Sequence, residues 1–265
     1  MTSLSELRRA RHEARQPPLP PFQPVTWEVG VTTCPRIRPT LFRTLESLNE
    51  AGWPRARLFV DGKNEQCQGP LATIQLPLNK RYPITDRGDW IGAVSNFVLG
   101  LAELYHRNPH ADAYLMLQDD VIHTPGVRQW FEQTGFPSGA SVCSWYCSSK
   151  YNSEQPGWFC PPPEKNLIGA LTVAFTNESA RNFIADKFVH EYRAGKNCPP
   201  AIKSGGTKHV DSLIGVWGRQ GHKVFCHSPS LAQHIGDTST MHRGVTNSGQ
   251  RLAARMATVQ EASQC

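Results

Sequence analysis

Apolar and β-branched residues bunch into short runs along this chain. Residues 25–33 (VTWEVGVTT), 56–60 (ARLFV), 114–117 (YLML), 167–176 and 223–226 each read as a strand bounded by turn residues. Between them the pattern changes period. Over 39–51 Leu41, Leu45 and Leu48 share one helical face, with Pro39 near the start and Gly52 just past the end. Over 90–106 Ile91, Val94, Val98, Leu101 and Leu104 make a buried stripe, and helices are also predicted over 178–188 and 211–219. Strand, helix and strand within 25–60 form a βαβ unit, which demands a parallel pair. The second half is less regular. A proline-rich loop at 150–166 carries Trp158 and Phe159, and a glycine-rich loop at 193–208 precedes the last helix. No segment repeats.

Composition narrows the class. With 265 residues, 39% hydrophobic and 19% charged, the chain can bury a core and is neither a disordered nor a fibrous type. No run reaches the roughly 18 apolar residues of a membrane span. Residues 1–24 read as a polar helix and a stiff proline-rich linker, and 241–265 as a polar tail. The N-terminus has arginines but no apolar stretch of the secretory kind, so a cytoplasmic protein with reduced thiols is expected. The eight cysteines show no Cys-x-x-Cys pair, and Cys143, Cys147 and Cys160 match zinc spacing poorly.

Charge is unevenly placed. Of the formal +6, most sits in 193–225, where Arg193, Lys196, Lys203, Lys208, Arg219 and Lys223 face Asp211 alone. Such a segment is either a solvated loop or a surface for phosphates or a polyanion.

The run 114–117 ends abruptly in Gln118, Asp119 and Asp120, before a turn at Pro125-Gly126. Two carboxylates where a buried strand leaves the core are costly without a compensating charge. Ligands of open α/β sheets bind at this end of the strands. A divalent cation whose shell is completed by a phosphorylated ligand accounts for the pair. The plain alternative is an Asp-Asp turn that caps the next segment.

The order of these parts resembles the GT-A superfamily of nucleotide-sugar glycosyltransferases. Three segments carry the likeness: the βαβ start ending at Asp61, QDDV at 118–121, and HVDSLIGVWGRQGHKVFCHSPSLAQHIGDTS at 209–239. Within the last, PSLAQHIG is similar to the tail of the N-acetylglucosaminyltransferase IV group. The resemblance spans about residues 25–240. It implies a single α/β domain with a Rossmann-like mixed sheet flanked by helices, a nucleotide-binding half at 25–122 and an acceptor half at 123–240. It further implies that Asp120 and His234 bind Mn²⁺ or Mg²⁺, and that Asp119 contacts the donor ribose or sugar. Gln118 stands where relatives often carry an acid. Asp61 would hold the uracil or ribose, while Thr33, Pro35 and Arg36 would line the base and Arg87, Gly88 and Asn96 would contact the nucleotide. Asp211 matches the catalytic base, with His209 a weaker candidate. Each has a plainer reading: His234 as a core histidine, Asp211 as a helix cap, and Trp158 as a core closer in place of an acceptor platform.

The expectation is thus a metal-dependent, inverting transferase with a UDP-sugar donor and a hydroxyl acceptor, on a glycan or on a hydroxymethylated DNA base flipped out of its stack. Loop 193–208 would close over the donor and exclude water. Two rivals stand beside it. A sugar-nucleotide nucleotidyltransferase would want a glycine-rich basic phosphate loop after the first strand, where this chain has TTCPRIRP. A non-catalytic basic protein binding nucleic acid or glycan would need no catalytic residues.

Overall fold

The computed structural model describes residues 21–36, 38–62, 82–151, 156–162, 167–196, 209–236 and 256–263. Eight strands organise the molecule: β1 (Trp27–Thr33), β2 (Arg57–Val60), β3 (Ile84–Asp86), β4 (Ala113–Gln118), β6 (Ala140–Ser144), β7 (Gly157–Phe159), β8 (Thr172–Thr176) and β9 (Lys223–Ser228). They form one sheet in the order β3-β2-β1-β4-β8-β6-β9-β7, while the short β5 (Val121–His123) stands outside it. The first four are mutually parallel, as the βαβ pattern requires. β8 then runs antiparallel between β4 and β6, so the sheet is mixed. The expected α/β mixed sheet flanked by helices is what the chain forms.

Both faces of the sheet are covered, which explains the continuous apolar runs. Along β4, Leu115 and Leu117 join the cluster beneath α1 (Leu41–Glu50) and α3 (Val127–Thr134), while Tyr114 and Met116 join the opposite one. The opposite face carries α2 (Ala93–Arg107), α4 (Asn177–Ala185), α5 (Lys187–Arg193) and α6 (Val210–Gly218). Close packing there depends on missing side chains. A Cβ on Gly100 of α2 would lie 2.8 Å from the Phe59 ring, and one on Gly30 of β1 would lie 2.6 Å from it.

Several elements depart from the sequence reading. Residues 167–171 are not strand: Gly169 turns there with φ of 79°, and β8 starts at Thr172. The helix expected over 178–188 is two helices, because Asp186 breaks the first and caps the second by accepting the Phe188 N–H. Trp90 to Gly92 precede α2 instead of forming its first turn. Within the proline-rich loop, Gly157–Phe159 is an edge strand, with Trp158 packed on Trp130 and His227.

Both chain ends depart as well. The linker's last residues pack down, with Phe22 stacked on Phe136. The stretch read as a polar tail includes α7 (Val259–Ala262), opened by a capping box of Thr258 and Glu261, with Ala257 and Ala262 buried in the core. Residues 1–20 with the expected polar helix, most of loop 193–208, and 241–255 of the tail lie outside the described residues. Among the described residues, no helix is long and apolar enough to cross a membrane.

Candidate metal and nucleotide site

The chain passes from β1 to β2 and β3 on one side, then returns to place β4 on the other side of β1. Between β1 and β4 the strand order reverses, and crevices at such points receive ligands in open α/β sheets. Register aligns the strand ends there. Thr32 pairs with Gln118 and Thr33 with Val60, so Thr33, Asp61 and the acidic pair emerge along one rim. Backbone bonds continue the alignment past the strands: Asp61 N–H donates to Thr33 O at 2.8 Å, and Asp119 N–H to Thr32 O at 3.1 Å.

A short ribbon brings the remote imidazole in. β5 begins directly after the acids and pairs antiparallel with β10 (Ala232–His234), His234 opposite Val121. Ile235 N–H donates to Asp120 O at 2.8 Å, and His234 Nε2 stands 3.2 Å from Asp120 Oδ2. Residues 114 positions apart therefore meet, both nearly buried. Gly236 keeps the space beside them clear: a Cβ there would lie 2.9 Å from Asp120 Oδ2 and 3.1 Å from His234 Nε2.

Asp119 is differently employed. Arg36 approaches it with two guanidinium nitrogens, Nε to Oδ2 at 3.0 Å and Nη2 to Oδ1, and Thr33 Oγ1 donates to Oδ2 at 2.7 Å. Arg36 Nη2 also lies 3.2 Å from Asp120 Oδ2. Burial by itself would lower the arginine's pKa, but Asp119 and Asp120 outweigh it and raise the value, so the guanidinium stays charged. Removing one member of such a buried pair typically costs about 3–5 kcal/mol. Arg36, only 6% exposed, is engaged with the carboxylates. Asp119 is buried between Arg36 and Thr33.

The other predicted residues fall into two groups. Asp61 is buried and accepts the Ile91 N–H at 2.7 Å; burial raises its pKa against the pull of backbone donors. Asn96 holds β2 to α2, donating to Phe59 O at 2.8 Å and accepting from Arg87 Nε at 3.1 Å. Arg87 lies over the Phe59 ring and reaches Glu103, so it braces the sheet edge. Gly88 turns with φ of 71° and donates to Asp86 Oδ1, and Pro35 is buried in the loop after β1. Near the acids themselves, the structure thus gathers Thr33, Arg36, Asp119, Asp120 and His234, and sets Arg87, Gly88 and Asn96 in a supporting network one strand away.

Asp211 lies in the first turn of α6. Its Oδ1 accepts from Ser212 N–H at 2.7 Å and its Oδ2 from Gly169 N–H at 3.1 Å. Gly169 begins the loop whose Ala170 O and Leu171 O receive Gln118 Nε2 and N–H at 3.4 and 2.9 Å. The carboxylate is so fixed to the loop that borders the end of β4. His209 is the residue before α6 and makes no side-chain cap.

Sequence reasoning missed three participants. Thr44, a hydroxyl on the buried face of α1, donates to Asp119 O at 2.8 Å. A polar residue one helical step from Leu41 and Leu48 was the available signal. His123 is buried on β5 against Trp53 and Trp145, with Nε2 at 3.0 Å from Thr172 Oγ1 and a pKa pushed down to about 4 by burial. Gly236 was visible only as the end of PSLAQHIG.

Does the pair fit a divalent cation? Among the described residues, no group of three or more His, Cys, Asp or Glu side chains is placed to hold one. Asp120 and His234 offer one carboxylate oxygen and one imidazole nitrogen beside space a methyl group would fill. That donor set suits a cation that keeps waters and takes substrate phosphates as its remaining ligands.

No protein-family model and no curated protein matches the chain. Among solved structures, a nucleoside-diphosphate-sugar pyrophosphorylase from Vibrio cholerae RC9 aligns at a TM-score of 0.44 and 12% identity, covering 78% of this chain and 95% of that one. An overlap of that size is a partial likeness of sheets and helices and carries no chemistry across.

Proposed function

We propose that this protein is a metal-dependent, inverting glycosyltransferase that takes a sugar from a UDP-linked donor to an acceptor hydroxyl. The observation that carries the reading is Asp120 Oδ2 beside His234 Nε2, at 3.2 Å, on the strand-end rim where a nucleotide would lie. Asp120 and His234 would hold Mn²⁺ or Mg²⁺, which when bound neutralises the diphosphate leaving group. Asp119, Arg36, Thr33 and Thr44 form the frame that fixes Asp120's backbone in place.

Asp211 is the proposed base. In an inverting transfer the acceptor oxygen bonds to the anomeric carbon as the bond from that carbon to the diphosphate oxygen breaks. The acceptor proton passes to a carboxylate. Two backbone N–H groups already orient Asp211, and each of its oxygens retains acceptor capacity. The proposed acceptor is a glycan hydroxyl or a hydroxymethylated DNA base, the latter suggested by the net positive charge of segment 193–225 around Asp211. A sugar-nucleotide nucleotidyltransferase is an equally supported second reading, although the loop after β1 has no glycine-rich cradle and pairs its Arg36 with Asp119.

Calorimetric titration of UDP with and without Mn²⁺ is the test. Wild type should bind UDP at least tenfold more tightly with the ion, and Asp120→Ala should lose that dependence. Binding that ignores the ion and survives Asp120→Ala would refute the reading.

A further inference from the structure

We infer that Arg36 is a resident counter-cation for the acidic pair: it pairs with both carboxylates, offsetting one of their two charges in the metal-free protein, and competes with a divalent cation for Oδ2 of Asp120. The inference rests on the reading of Asp120 and His234 as cation ligands. Two nitrogens share that oxygen, Arg36 Nη2 at 3.2 Å and His234 Nε2 at 3.2 Å. A divalent ion bonded there at about 2.1 Å would set its charge against the guanidinium, and like charges at such range exclude one another. Withdrawing Nη2 gives up its bond to Asp119 Oδ1 as well, and Arg36 then holds Asp119 through Nε alone, 3.0 Å from Oδ2. The displaced nitrogen would then be able to donate to a diphosphate oxygen, for which an arginine donor is well matched. Cation and nucleotide would in this way each favour the other's binding, through one side chain.

The direction of the effect separates this role from a structural one. Removing a side chain that merely builds the site weakens cation binding, whereas removing a competitor strengthens it. Mn²⁺ binding should be measured by electron paramagnetic resonance on the full chain as wild type, Arg36→Met and Arg36→Lys, with and without UDP. Thermal unfolding confirms that each variant is folded. Arg36→Met should bind Mn²⁺ alone at least tenfold more tightly than wild type, Arg36→Lys should fall between, and the tightening by UDP should shrink in Arg36→Met. Unchanged or weaker binding in a folded Arg36→Met overturns the inference and leaves the cation site standing. Should Arg36→Met not fold, Arg36→Lys is judged by the same direction. The wild-type Arg36 Nε–H resonance serves beside it: a shift on adding Mg²⁺ supports competition, and an unmoved signal overturns it. If no variant binds Mn²⁺ with or without UDP, the cation reading itself fails and takes this inference with it.

Discussion

Replacing Gly236 by alanine probes the proposed cation site without altering Asp120 or His234. Gly236 has no left-handed backbone, so alanine's cost there is purely steric. The new Cβ would stand 2.9 Å from Asp120 Oδ2 and 3.1 Å from His234 Nε2, where ordinary contact begins at 3.4 Å. One of the two groups must retreat by about half an ångström, more than the ~0.2 Å by which metal–ligand distances usually vary. The bare protein should lose about 1–3 kcal/mol, the usual cost of one surplus methyl in a packed place. Mn²⁺ affinity should fall at least tenfold, ~1.4 kcal/mol or more beyond that general loss. Denaturant titration of the ion-free protein measures the first effect and Mn²⁺ titration in the presence of UDP the second. Wild-type Mn²⁺ affinity in Gly236→Ala would show that no ion sits between these two side chains.

The same geometry sets two more outcomes. Asp211→Asn should keep UDP binding within about twofold, while transfer, measured with the preferred nucleotide sugar, drops about 10²–10⁴-fold; full activity would remove Asp211 as the base. Stability should depend on pH through His123: the folded imidazole resists protonation down to about 4, whereas the unfolded one takes a proton near 6.5. The stabilisation is complete above pH 6.5 and is lost as pH falls toward 4, amounting to about 2 kcal/mol by pH 5 at ~1.4 kcal/mol per pH unit. His227, whose pKa burial also lowers, adds in the same direction. Denaturant midpoints at pH 7 and 5 should show a smaller drop in His123→Gln than in wild type, and equal drops would discard the assignment.

What the sequence revealed and what it hid divide along physical lines. Long runs with a clear period, such as β4, α1 and α2, were readable because burial on defined faces writes the pattern directly. Asp119 and Asp120 were readable for the same reason, since charge at the end of an apolar run is conspicuous. The β5–β10 ribbon was not, because three-residue strands carry no usable alternation. The pairing of Arg36 was hidden because a loop arginine is ordinarily solvated, and only a partner 83 residues away reveals its burial. Gly169 hid where β8 truly begins, since a single glycine in an apolar run reads equally as strand or bend.

The ribbon that joins His234 to Val121 also sets the order in which competence can arise during synthesis. A nascent chain carries Asp120 long before its imidazole partner has left the ribosome, and the contact between Thr124 Oγ1 and Ala257 O, 2.7 Å apart, comes later still. The carboxylate pair and its arginine lie wholly within the earlier part of the chain and can meet before that imidazole emerges. Any product released before position 234 would keep that unit yet lack the imidazole that stands beside Asp120, however well its sheet had formed.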